Sequence, residues 1–251
     1  MRIWTLLISF CAVFLLAATP DESLEERFDE LMELRHQGEF SLMLEELEAL
    51  HKSFPDDAGV LWRMARTRAD VADRTESEER RKALFLQSLE ESRMAVELDP
   101  ESSEAVLTKA IAAGRAGMVS GTRQQVELSR QVKELADRAI ELDESNDLAY
   151  HVRGRWHFEV AGLGFFARNA VRIVYGGLPG ASMEQAKADY RRAIELEDRV
   201  VHRYELGRVL LELDRRDEAR QQFQTAIAMP YGDVTDVIYK ERSHRLLMRM
   251  R

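Results

Sequence analysis

Cysteine is almost absent from this 251-residue chain: Cys11 is the single sulfhydryl, and it lies inside an apolar N-terminal leader. Downstream of that leader a disulfide framework, a thiol nucleophile and cysteine-ligated zinc are all excluded. Proline is scarce, with five residues, and thirteen glycines leave few points at which helix must stop. The histidines at 36, 51, 151, 157, 202 and 244 include no i, i+4 pair of the kind that holds a catalytic zinc on one helix face. His151 and His157 point to different faces of a helix and read as packing or surface residues rather than ligands. Positive charge is in deficit: 36 Lys and Arg against 45 Asp and Glu leave a net −9, too acidic for a dedicated nucleic-acid binder. At 45% apolar and 32% charged, the chain is not a disordered one. What it does hold, long runs of Glu, Leu, Ala, Arg and Gln, specifies an all-α protein.

After Met1 and Arg2 the chain runs without charge from Ile3 to Ala18. One early cation, an apolar stretch and small residues at Ala17-Ala18 make an export signal. Residues 1–19 are therefore a signal peptide or an uncleaved N-terminal membrane anchor, Pro20 favouring the second reading, and 20–251 is the helical domain. The expected location is exported: periplasmic, or tethered to the membrane facing away from the cytoplasm.

The domain repeats itself. Ala95-Val96-Glu97-Leu98-Asp99 recurs as Ala139-Ile140-Glu141-Leu142-Asp143 and Ala193-Ile194-Glu195-Leu196-Glu197, with a weaker copy at Ala226-Ile227-Ala228-Met229-Pro230. Before each copy stand Ser88/Ser92, Val132/Ala136, Ala186/Tyr190 and Ala219/Phe223. Offsets of four and three put these residues on one helix face. A preceding helix carries a small residue at each expected crossing: Ala65, Ala110, Gly154 and Gly207.

Paired helices with small crossing residues resemble the tetratricopeptide repeat, whose period is about 34 residues. Five pairs are expected, near 22–55, 58–100, 103–144, 147–198 and 200–231, with a capping helix over 233–250, forming a tetratricopeptide-like superhelix. Two stretches exceed the period. Val71–Arg80 is charged and reads as a solvated loop or helix extension. Ala161–Ala181 contains no acid. Its Phe165 and Phe166 either pack back into the array or wall a lipid pocket, with Arg168 and Arg172 on one strip facing anionic head groups.

Leu61-Trp62-Arg63-Met64-Ala65-Arg66, Ser103-Glu104-Ala105, Gly154-Arg155-Trp156-His157-Phe158-Glu159-Val160 and Leu206-Gly207-Arg208 resemble the regulators of microtubule dynamics. The resemblance spans 58–231. It implies a membrane-proximal helical-repeat module making protein contacts and, for at least one animal relative, binding or transferring phospholipid. The leader looks bacterial, a context in which a microtubule role would not carry over.

Catalytic chemistry finds no footing. Gly162-Leu163-Gly164-Phe165-Phe166-Ala167 follows a helix rather than a strand, so no dinucleotide fold surrounds it. Glu90-Glu91 and Glu45-Glu46 read as acids on solvated faces, where nothing tunes a general acid or base. The expectation is a non-enzymatic scaffold without cofactor or metal, binding a protein partner in its concave groove. The alternative is a phospholipid-binding or transfer module using the groove and the 161–181 insertion, with an anionic phospholipid or membrane surface as partner. Counting from the crossing residues, the first helices offer Arg66, Arg155 and Arg208 to the groove, beside Trp62, His151 and Tyr204. These arginines either grip an anionic group or pair with internal acids. The asparagines of a chaperone-type carboxylate clamp are missing.

Overall fold

The computed structural model describes residues 24–164, 171, 173–174 and 176–250. Eleven helices and no strand occur among them. They are α1 Leu24–Gln37, α2 Phe40–Ser53, α3 Ala58–Asp73, α4 Glu78–Leu98, α5 Ser103–Met118, α6 Thr122–Leu142, α7 Asp147–Ala161, α8 Met183–Leu196, α9 Val200–Glu212, α10 Arg216–Ala228 and α11 Asp236–Arg249. They fall into the five expected pairs and one cap. The leader lies outside the described residues.

Five of the helices start where the sequence offers a side-chain acceptor to their free N–H groups. Asp57 accepts from Val60 N, Ser77 from Arg80 N, Ser102 from Ala105 N, Asn146 from Ala149 N and Ser182 from Gln185 N. The first pair turns at Gly38, where φ is +80°, a value that L side chains resist. The Val71–Arg80 stretch is taken up as longer helices around a short turn, so α4 reaches 21 residues.

Helices pack in chain order, each pair closing on itself and then on the next, with further contacts between alternate helices α3/α5, α5/α7, α7/α9 and α9/α11. The recurring small residues are what permits this. Ser88, Ser92, Ala95, Ala136, Ala139, Ala186, Ala193, Ala219 and Ala226 are fully buried, as are Ala65 and Ala110 at the crossings. A Cβ on Gly154 would lie 3.2 Å from Asp189 Cβ. Pairwise stacking leaves each apolar face to be covered by the following unit, and a series of neighbouring clusters forms in place of one central core.

One reading of the acids is corrected here. Glu91 is buried, and Arg68 donates to it through Nε at 2.8 Å while reaching Glu48 through Nη2 at 2.8 Å. Longer second helices bring this turn under α3, so the acid faces inward while its neighbour Glu90 stays in water beside Arg93.

The 161–181 insertion is anchored at its C-terminal end. Gly176 and Gly177 turn with φ of +76° and +86°, and Arg130 donates to Gly177 O through Nη2 and Nε at 2.7 and 3.1 Å. Leu178 and Ala181 then pack beside Trp156, whose Nε1 donates to Ser129 O at 2.7 Å. Before the turn, Ile173 and Val174 stand 78% and 65% exposed. Among the described residues no helix is long and apolar enough to cross a membrane.

Candidate binding groove

Arginines from all five pairs converge on the inner face of the array. On α3, Arg66 lies 3.8 Å from Glu104 of α5. Burial and the nearby charge of Arg35 lower its pKa, with Asp70 and Glu104 opposing and Arg199 of the fifth pair adding to the lowering. On α5, Arg115 pairs with Asp73; burial lowers its pKa, and Arg155 and Arg66 push the same way against Asp70. Charges from the first, second, third, fourth and fifth pairs thus act on one another across the groove. In a chain of net −9, this is a locally cationic interior.

Arg155, on α7, is exposed and makes no ion pair among the described residues. Its charge nevertheless acts on His151, Tyr190, Arg115 and Tyr239, which puts it at the groove's centre. Arg208 is different. It donates to the buried Glu205 at 2.7 Å and lies 4.4 Å over the Phe158 ring, so among the described residues the expected ladder of equivalent arginines keeps one rung without an ion pair. Of the two roles open to Arg208, gripping an external anion or pairing with an internal acid, the structure shows the internal pair. Glu205 sits one helical turn before it, and burial there requires compensation.

The aromatic positions divide in the same way. Trp62 is half-buried against the first cluster, with the Arg63 guanidinium 4.2 Å from its ring. Tyr204 is a core residue, packed 6.1 Å from Phe223 and 5.4 Å from Tyr239, not a groove wall. His151 is half-buried and belongs to a relay that the sequence reading did not anticipate. Asp147, at the start of α7, accepts from Arg199 Nε at 2.7 Å and from His202 Nε2 at 2.8 Å. Burial opposes ionisation of Asp147, but the bonds from His202 and Arg199 hold its carboxyl below the usual range. The other ring nitrogen of His202, Nδ1, is 2.9 Å from His151 Nδ1. Burial, with the charges of His202 and Arg155, holds His151 well below its ordinary pKa. Behind it lies Tyr190, its ring 5.3 Å from that of His151 and its buried hydroxyl without a hydrogen-bond partner among the described residues.

Arg35, Arg115 and Arg199 were missed. Arg115 had a legible signal: it stands one turn beyond Ile111, the groove position of α5, and Asp70 is likewise one turn beyond Arg66. The insertion candidates Phe165, Phe166, Arg168 and Arg172 lie outside the described residues. Among those described, no cluster of His, Cys, Asp or Glu could hold a metal.

Similarity to known proteins is consistent along the chain. The family described as Regulator of microtubule dynamics protein 1-3 matches residues 24–251. Regulator of microtubule dynamics protein 1 of Caenorhabditis elegans is 27% identical over 222 residues, covering 88% of this chain and 96% of that protein. The Bos taurus protein of the same name is 29% identical over 187 residues, 74% of this chain but 58% of its own length. The chain thus spans nearly all of the worm relative and little more than half of the bovine one. Among solved structures, a thermophilic TPR protein of Thermus thermophilus superposes with a TM-score of 0.64 at 18% identity, covering 88% of this chain and 98% of that one. That likeness establishes the tetratricopeptide-type fold.

Proposed function

Because the chain belongs to the family of regulators of microtubule dynamics 1-3 and has a tetratricopeptide-type fold, we propose that it is a non-enzymatic scaffold whose groove takes an acid-bearing segment of a protein partner. One observation carries this reading. Arg155 stands exposed and, among the described residues, without an ion pair where the charges of several units converge, while its counterparts Arg66 and Arg208 already face Glu104 and Glu205. A guanidinium offers a planar fork of donors suited to carboxylate or phosphate, and an unpaired one loses no internal bond when a ligand arrives. Charged walls favour a polar peptide over an acyl chain.

The exposed Ile173 and Val174 support a second, subsidiary contact, in which the insertion rests on an apolar surface, a membrane or a partner face. The leader-like residues 1–19 support an exported or membrane-tethered location for this scaffold.

Native mass spectrometry of the protein purified from its own membranes tests the main reading. A protein partner should co-purify, dissociate as salt is raised, and be lost from Arg155→Glu. Bound phospholipid with no protein, unaffected by that substitution, would reverse the order of the two readings.

A further inference from the structure

The loop before the capping helix reaches back to the first turn of the array. A Cβ built on Gly38, between α1 and α2, would lie 3.1 Å from Val234 Cγ2, so the strap that leads into α11 touches the opening pair. Among the described helices neither those of the fifth pair nor α11 packs on α1 or α2, and this turn-to-strap contact is where the two ends of the array meet. The strap carries an acid to the same seam. Burial opposes ionisation of Asp233, but the bonds from Thr235 and the charges of Arg35 in the first pair and Arg199 in the fifth hold its carboxyl below the usual range. Arg35 and Arg199 are also the two cations that act on Arg66 from either end of the groove. Tyr239, in the first turn of α11, is half-buried and lies in the field of Arg155 and Arg115. The strap and the cap therefore stand over the inner face, not behind it.

The strap holds its own shape. Gly232 N and Asp233 N donate to Asp236 Oδ2 at 2.8 and 3.0 Å, and Thr235 N and Oγ1 donate to Asp233 Oδ1 at 2.8 and 2.7 Å. Lys240 Nζ donates to Met229 O and stands 4.0 Å from the centre of the Tyr231 ring. Among the described residues no hydrogen bond or ion pair joins 229–236 to the first pair. What holds them there is Val234 against Gly38 and the attraction of Asp233 to Arg35. A preformed turn attached so lightly can leave the first pair without breaking a bond of its own. Its departure opens one side of the groove and withdraws the acid from beside Arg35 and Arg199.

We propose that residues 230–235 are a latch that closes the groove between the first and fifth pairs, with Asp233 occupying from within the chain a place that a partner's acid takes. This rests on the groove-binding reading above and adds a regulation to it: the partner segment enters when the latch has let go. Being tethered, the strap competes at a high effective concentration with any free segment. A latch open in about one molecule in ten weakens the entering segment about tenfold. The latch also describes what displaces it. Asp233 faces the arginines and Val234 sits on a glycine that has no side chain, so the displacing segment carries an acid next to a small apolar residue.

The test uses the full chain with Cys11→Ser, Gly38→Cys and Val234→Cys, the last two at positions that the fold brings close enough for a disulfide. The probe is a fluorescein-labelled copy of the strap, the amide of Met-Pro-Tyr-Gly-Asp-Val-Thr-Asp, followed by anisotropy at low salt. Mild oxidation should join the two cysteines within one chain and abolish probe binding, and reductant should restore it. Asp233→Asn keeps an acceptor for Thr235 and leaves Gly38 untouched, so it serves where the cysteines disturb the turn. It should bind the probe up to about tenfold tighter than the parent chain. A folded double-cysteine chain that forms no internal disulfide would overturn the latch. Equal binding by the oxidised and reduced chains, lost in Arg155→Glu, would overturn the latch and leave the groove reading standing. An Asp233→Asn chain that binds no tighter than the parent would overturn the competing role of Asp233. Binding indifferent to Arg155→Glu, or absent from every variant, would overturn the groove reading and that role with it.

Discussion

The Phe223 ring lies so close beneath Gly207 that a Cβ built on that glycine would fall 2.4 Å from Phe223 Cε1. Here α9 and α10 cross at backbone-to-ring contact, with Phe223 fully buried. The fifth repeat can close only because its crossing residue has no side chain. Replacing Gly207 with Ala is expected to cost about 1–3 kcal/mol through overpacking, although alanine is the better helix former. Urea unfolding of the variant reads this directly, and an unchanged midpoint would show that the ring has room to move.

Glu91 and Glu90 offer a paired comparison. Glu91→Ala leaves the buried Arg68 with Glu48 as its remaining acidic partner, and a loss of about 3–5 kcal/mol is expected. Glu90→Ala removes an exposed partner of Arg93 and should change stability by no more than about 0.5 kcal/mol. Thermal denaturation of both variants should separate them clearly, and equal losses would contradict the buried placement of Glu91.

Acid should weaken the fold through the histidines. His151 and His157 are both held neutral in the folded protein, His151 well below its ordinary value of 6.5 and His157 in the same direction, burial being the first cause of each. Below about pH 6.5 the unfolded chain takes up protons that the folded protein refuses. Their contribution is therefore present above that pH and is lost as pH falls toward the folded values. One such proton carries up to about 1.4 kcal/mol per pH unit. His151→Phe should flatten the fall in stability between pH 6.5 and 5 relative to the parent; parallel curves would contradict the neutral, buried state of His151.

Ile173 and Val174 should be dispensable for folding. At 78% and 65% exposure, their joint replacement by Ser should move the melting temperature little, since the fold does not bury them. Vesicle co-sedimentation of the same variant then shows whether the insertion touches membrane. A large drop in melting temperature would instead make them part of the packed array.

The fold was legible because its signal is periodic. Ser88, Ala136, Tyr190 and Phe223 repeat a face that only a stacked helix pair can bury, and all four are buried as their spacing implied. The groove was half legible. Counting from crossing residues located Arg66 and Arg155 but assigned Tyr204 to a wall that the aromatic core claims, because one register position does not distinguish a groove face from the seam beside it. Asp147 and His202 were out of reach of such counting. They are 55 residues apart and meet only through the stacking of α7 on α9. Glu91 was misread because its local neighbours are polar, and the cation that justifies its burial, Arg68, comes from a different helix.

The central claim, that the inner face around Arg155 is where the partner segment binds, is tested most directly by site-specific photo-crosslinking in the source cells. Benzoylphenylalanine is placed at Ile111 on the groove side of α5 and, separately, at the exposed Glu134 of α6. A discrete protein adduct should form from position 111, not from position 134, and should disappear when Arg155 is changed to Glu. An adduct from position 134 alone, or one from position 111 that survives Arg155→Glu, would contradict it.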